Sequence, residues 1–369
     1  MKIEYRKKFL KELSKILRQS FNWHGARLDF LAKFIVALLT VRSVNLTKMA
    51  EAFSGKAKID SHYKRLQRFF KEFKLDFVQI TGFVLNHFSM ENGLVLAIDR
   101  TNWKVGKKNI NFLVLALVYK GIALPLMWTC LDKQGSSSTQ ERIAFLKHFF
   151  EVIDPQQIRF LLADREFIGK AWFGYIINQI SVRIRIKKDT QISNSKGHLV
   201  NAFTLFRNLK PGEIRVLSGI RQVCGHPLYV VGLKQADGEY VIIATTDSPK
   251  IALEDYRLRW NIETLFSCLK SRGFNLEDTH MTDLERLEKL MGLLTIAFCW
   301  ILLTGERRFE HKPIRIGKHG RYVKSIFRYG FEQMKNVFIN ASIKLDKLHQ
   351  IFSIILPKAG SPELFYMRC

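Results

Sequence analysis

The sequence predicts an α/β protein with a helical N-terminal region, a central sheet carrying a β-rich insertion, and a helical C-terminal tail. Three observations support this reading. Residues up to about Met90 follow a helical pattern. From Gly93 the pattern changes to apolar runs separated by turn signals. After three such runs, strand and helix patterns alternate. A chain of 369 residues holds about two or three domains and at least one large core. The expected boundaries are 1–90 for the N-terminal region, 91–306 for the core with its insertion at 189–240, and 307–369 for the tail.

The N-terminus, "MKIEYRKKFLKELSKIL", reads as a basic amphipathic helix without the apolar segment of a secretory signal. "LTKMAEAF", "SGKAKI" and "DSHYKRLQRFF" then have the look of a helix-turn-helix, the last helix opened by an Asp or Ser cap. Its exposed positions offer Ser61, His62, Lys64, Arg65 and Arg68 to phosphates and base edges. Helical hairpins with basic faces are common, so a purely structural role stays open. "LVLAIDRT", "INFLVLALVYKG" and "IALPLMWTCLD" are three strands in meander order. A Ser/Thr-capped helix "STQERIAFLKHFFEVI", a strand "IRFLLADREF", a helix "GKAWFGYIINQ" and a strand "VRIRIKK" follow. That is the element order of a ribonuclease-H-like core. From Asp189 the chain turns polar and glycine-rich, with short strands such as "EIRVLSGI" and "HPLYVVGLK". "YVIIATT" closes this insertion. The tail from about Arg307 is basic and ends in a helix "LDKLHQIFSII".

Charge narrows the function. Lys and Arg number 59 against 33 acidic residues, a net charge of +26 with pI near 9.9. Such a surplus fits a polyanion, most simply nucleic acid. A membrane surface would usually be met by one basic amphipathic helix or a polybasic tail, whereas here the charge is spread along the chain. Two apolar runs resemble spans. Phe112–Leu131 is broken by a "YKG" turn, and Leu290–Leu303 is short for a bilayer and reads as a buried helix. The five cysteines form no Cys-x-x-Cys pair, which disfavours a disulfide framework or zinc site and fits a cytoplasmic, reducing environment.

Two aspartates stand where sites collect in α/β folds, at the C-terminal ends of strands. Asp99 ends the first strand of this scheme and Asp164 the fourth, and those strands are neighbours in such a sheet. Facing carboxylates need a shared proton or a cation between them, and hard oxygen ligands favour Mg²⁺ or Mn²⁺. A lone strand-end Asp is commonly only a turn or helix cap. A third acid comes from "DYRLRWNIETLFSCLKSRG", residues 255–273. On a helical wheel Tyr256, Arg259, Glu263 and Lys270 form one polar stripe, opposite Leu258, Ile262, Leu265 and Leu269. By spacing alone, the stripe is either functional or a solvated face with an Arg259–Glu263 pair.

The stripe resembles the Tyr-x2-Arg-x3-Glu-x6-Lys signature of DDE transposases of bacterial insertion sequences, in particular the insertion-sequence-four family. The likeness extends to "IDRTNW" around Asp99 and "ADREF" around Asp164, so it covers about residues 93 to 273. The resemblance implies that Asp99, Asp164 and Glu263 are the catalytic carboxylates and hold two divalent cations, Mg²⁺ or Mn²⁺. It implies that Tyr256, Arg259 and Lys270 grip DNA phosphates, with Arg165 beside them as a further DNA-binding candidate. The implied activity is cut-and-paste transposition. The ends of an element are bound and cleaved, and their 3′ ends are joined to target DNA, within a synaptic complex of a homodimer in the bacterial nucleoid. Several such relatives cut through a DNA hairpin and seat a flipped base on an aromatic residue of the insertion. The insertion here has no Trp, which leaves Phe203, Phe206 and Tyr229. Two other readings remain: a ribonuclease-H-like nuclease without strand transfer, and a repurposed DNA-binding protein without catalysis.

Overall fold

The computed structural model describes residues 2–53, 55–88, 90–318, 320–339, 350–354 and 356. Its described residues form two units, one within 1–89, 102–110 and from Phe266 onward, the other within Met90–Thr101 and Asn111–Leu265. The first unit opens with helices α1 (Lys2–Ser20), α2 (Gly25–Val41), α3 (Leu46–Ala52), α4 (Ile59–Glu72) and α5 (Phe77–His87). Asn45 caps α3 by accepting from the amides of Thr47 and Lys48, and Asp76 caps α5 in the same way. α4 differs from the expected start. It begins at Ile59, after an extended Lys58 that gives no side-chain cap. Asp60 instead sits in the first turn, where its charge suits the helix dipole. Phenylalanines hold this region together: Phe30 stacks on Phe69 with centroids 3.8 Å apart, and Phe69 on Phe73 at 4.7 Å.

The second unit is built on a mixed sheet. β1 (Leu94–Val105), β2 (Lys108–Tyr119) and β3 (Ile122–Cys130) come first. β2 and β3 are antiparallel, joined by Lys120 and Gly121 with φ of 42° and 86°. Positive φ at both central residues is the pattern of a type I′ hairpin, so the apolar run Phe112–Leu131 is two strands. Next come α6 (Thr139–Val152), β4 (Ile158–Ala163), α7 (Lys170–Ile176) and β5 (Val182–Ile186). α6 carries a full capping box, with Ser138 and Glu141 each satisfying the other's amide. β4 lies parallel to β1 and β5 parallel to β4. The order β3-β2-β1-β4-β5 is that of a ribonuclease-H-like core. Leu94 to Ile98 are all buried, as a parallel strand covered on both faces requires.

The insertion holds β6 (Gln191–Ser193), β7 (Leu199–Asn201), α8 (Ala202–Phe206), β8 (Ile214–Val216), β9 (Arg221–Val223) and β10 (His226–Lys234), and β11 (Tyr240–Thr245) closes it. β11 runs antiparallel to β5, and β10 antiparallel to β11, so the insertion extends the main sheet to eleven strands among the described residues. Next come α9 (Ala252–Arg257) and α10 (Trp260–Leu269).

The first unit resumes with α11 (Leu284–His311) and α12 (Ile326–Ile339). α11 is one unbroken helix through residues 306 and 307. By length and composition it could cross a membrane, but 89% of its apolar window is buried within the protein. It packs on α12 through two glycines. A Cβ on Gly330 would lie 1.9 Å from the Ile301 carbonyl oxygen, and one on Gly305 2.2 Å from that of Ile326. Of the expected terminal helix, residues 350–353 are helical and residues 345–349 lie outside the described residues.

Candidate active site

The β1–β4 ladder ends at the pair Ile98 and Ala163. The next residue on each side is an aspartate, Asp99 and Asp164. Asp99 therefore does not end its strand, as the pattern suggested. β1 continues to Val105 beside β2, and only its partnership with β4 stops there. The consequence for the site is the same: two acids flank each other where the parallel pair runs out. Asp99 Oδ1 accepts from the Arg100 amide at 2.7 Å, and Asp164 Oδ1 from the Glu166 amide at 2.8 Å.

The segment after β11 is not one helix. α9 stops at Arg257, and tight turns at Leu258 and Arg259 precede α10, with amides bonding three residues back instead of four. The single wheel assumed from the sequence is thus broken. Leu258 is 38% exposed, whereas Ile262, Leu265 and Leu269 are fully buried. Tyr256 and Arg259, expected on a polar face, are buried. The break aims Arg259 at the acids. Its Nη1 donates to Asp99 Oδ2 at 3.1 Å and its Nη2 to Glu263 Oε1 at 2.5 Å. The i,i+4 pair expected of a solvated face exists, but Arg259 also joins Asp99, 160 residues away in sequence.

Electrostatics mark the cluster. Burial pushes the Asp99 carboxyl up to about 6, and the charges of Asp164 and Glu263 add to the rise, while the Arg100 amide and Arg259 oppose it. Burial opposes the Arg259 charge, yet Tyr256, Glu263 and Asp99 together hold its pKa above the usual value. Burial likewise pushes the Tyr256 hydroxyl up to about 12, with Asp164 adding to it and Arg259 opposing. Among the described residues, the Tyr256 hydroxyl and Arg259 Nε are buried without a hydrogen-bond partner of good geometry. Two unmet polar atoms beside three carboxylates are unusual in a folded interior and common where a ligand binds. Trp260, 64% exposed, stands beside Arg259, its ring centroid 5.7 Å from the guanidinium carbon.

A second layer supports the aspartates, and the sequence reading gave it no role. Arg100 grips Glu166 with two bonds, Nε to Oε1 at 2.5 Å and Nη2 to Oε2 at 2.7 Å. Glu166 also accepts from the Ser137 amide and hydroxyl, and Arg142 lies 3.6 Å away. Burial alone would raise the Glu166 carboxyl, but Arg100 and Ser137 hold it below the usual range. Arg100 follows Asp99 by one residue and Glu166 follows Asp164 by two, so this clamp fixes one acid-bearing backbone to the other. On the far side, Arg183 of β5 donates to Asp255 and Asp247 and anchors α9.

The other expected residues are placed as follows. Lys270 belongs to the first unit, where its Nζ donates to the Asn102 carbonyl at 3.0 Å and pairs with Glu277 at 2.8 Å. Arg165 is exposed. Lys64, Arg65, Arg68 and Ser61 are exposed on α4, but His62 is buried against Phe53 and cannot serve as a surface contact. Of the insertion's aromatics, Phe206 is fully buried, Tyr229 half-buried and Phe203 40% exposed.

Residues 91–300, more than half of the chain, match the family model described as the transposase DDE domain. The chain belongs to the DDE transposase family. Among solved structures, the chain is similar to a cryo-EM structure of the piggyBac transposase synaptic complex with hairpin DNA. The identity is 11% and the TM-score 0.45, over 95% of this chain and 83% of that one. No curated protein matches the chain. For this DDE transposase, Asp99, Asp164 and Glu263 all lie within the matched region. Among the described residues, no three His, Cys, Asp or Glu side chains stand in a metal-ready group. The cation joining Asp99 to Glu263 is the Arg259 guanidinium. The donor set nevertheless suits a divalent ion. Three carboxylates are hard oxygen donors, and Asp99 is held in a buried position where neighbouring acids disfavour its charge.

Proposed function

We propose that this protein is a cut-and-paste DNA transposase of the insertion-sequence-four kind. It would bind the ends of its element, cleave them and join their 3′ ends to target DNA, as a homodimer, in the bacterial cytoplasm at the nucleoid. The observation that supports this reading best is the meeting of Asp99 with Arg259, 160 residues away in sequence, and through it with Glu263, at the end of the β1–β4 ladder. Asp99, Asp164 and Glu263 would hold two divalent cations, Mg²⁺ or Mn²⁺. Bound there, such ions supply Lewis-acid activation of the attacking and leaving oxygens in an in-line displacement.

The chain's own residues do the rest. The Arg100–Glu166 clamp keeps the two aspartates in register. Arg259, released from the carboxylates, presents a planar fork suited to a phosphate. Tyr256 offers a buried hydroxyl beside it, and burial keeps that hydroxyl protonated and able to donate. Lys270 adds a phosphate contact in this reading. The test is Glu263→Gln, which keeps size and helix but removes a charge. Gel shift on end DNA should persist, while nicking and strand transfer on a supercoiled plasmid with Mg²⁺ fall by orders of magnitude. Cutting near the wild-type rate defeats the assignment. In the wild-type protein, nicking without joining supports the nuclease reading, and binding without either supports a repurposed DNA-binding protein.

A further inference from the structure

In the first unit, α2 and α4 border a cleft of about 370 Å³. α4 lines it with Arg65 and Arg68, one turn apart on the same face, and α2 with Arg27 and Lys33. Phe30 and Phe69, stacked on each other, also line it. One acid, Asp29, faces these four cations. Arg27 is occupied, lying 4.0 Å from Glu72 and over the rings of Phe69 and Phe73. Lys33, Arg65 and Arg68 form no ion pair among the described residues. Burial and the neighbouring Arg65 hold the Lys33 pKa below the usual lysine value, with Asp29 opposing. Like charges gathered over an apolar wall are costly unless an anion joins them.

We infer that this cleft seats a backbone phosphate of double-stranded DNA, with Lys33, Arg65 and Arg68 as its donors. The inference rests on the DNA-binding part of the proposed function and gives it a place. It also changes the meaning of the helix-turn-helix. His62 is buried and cannot reach a base edge, Lys64 lies outside the cleft, and Lys33 comes from a helix that pattern does not include. The face therefore anchors the duplex without reading its sequence.

The experiment is a salt titration of binding by the full-length protein, read by fluorescence anisotropy. The probes are a duplex carrying the element's terminal sequence and an unrelated duplex of equal length. In Lys33→Gln/Arg65→Gln/Arg68→Gln, the slope of log affinity against log salt should shrink by about 0.9, the value for one lost phosphate contact. The loss should be equal on both duplexes, so that their affinity ratio is kept. Lys64→Gln should change the slope by less than one contact. If the triple variant unfolds, Arg65→Gln/Arg68→Gln, both at exposed positions, carries the same test, its slope shrinking by up to about 0.9. An unchanged slope in variants of a protein that does bind DNA overturns the cleft alone. So does a loss confined to the terminal sequence, or a Lys64→Gln effect as large as the triple's. A wild-type protein that binds neither duplex overturns the DNA-binding reading and the cleft with it.

Discussion

Asp99→Asn should make the protein more stable at neutral pH while abolishing its chemistry. Asp99 has its carboxyl raised from 3.8 to about 6, chiefly by burial. Below the lower value both folded and unfolded chains hold the proton, and the site contributes nothing. Between the two values the unfolded chain releases it while the folded chain keeps it. The folded state then binds more protons, and stability falls as pH rises. Above about 6 the loss is complete, about 2.2 pKa units at 1.36 kcal/mol each, or about 3 kcal/mol. Asn resembles the neutral acid in shape and does not titrate. It also leaves Arg259 paired, because Glu263 holds its other amino group at 2.5 Å. Denaturant unfolding in EDTA should therefore show the variant about 3 kcal/mol more stable at pH 8 and only about 0.6 kcal/mol more stable at pH 4. Asp99 is largely buried, its side chain 19% exposed, so solvent screening does not erase the effect. A variant that is no more stable than wild type at pH 8, or whose gain is the same at both pH values, would falsify the buried-acid account. Mg²⁺ should narrow the gap by stabilising wild type more than the variant, if the ions bind at Asp99.

Two further outcomes follow from the packing around the site and in the first unit. Glu166→Gln leaves Arg100 in a half-buried position without its carboxylate, so it should cost about 3 kcal/mol in chemical denaturation; a cost under about 1 kcal/mol would reduce the clamp to an ordinary surface pair. Gly330→Ala drives a Cβ into the Ile301 carbonyl, a backbone atom that cannot swing aside, and should destabilise by about 3 kcal/mol. Thermal melting of the alanine variant at the wild-type temperature would show that α11 and α12 do not meet so closely.

The sequence determined the local grammar of this protein. Apolar runs bounded by turn residues marked β1 to β5, and Ser138 with Glu141 marked the start of α6, because period and capping act over a few residues. The acids were legible for a related reason. An Asp after an apolar strand, and a Glu inside a four-residue signature, are local patterns, and all three acids fall inside the family match over residues 91–300. What tertiary structure decided was everything that depends on a partner far along the chain. The helix of residues 255–270 had to break at Leu258 and Arg259, since an unbroken wheel would leave Arg259 on the exposed stripe and not against Asp99. His62 looked like a surface residue on its own helix and is buried because Phe53 packs on it. Arg100 and Glu166 each stood in plain view beside an aspartate, yet their pairing exists only because β1 and β4 lie side by side. Lys33 joins Arg65 only when α2 and α4 come together, and periodicity within one helix carries no information about the charge on the next.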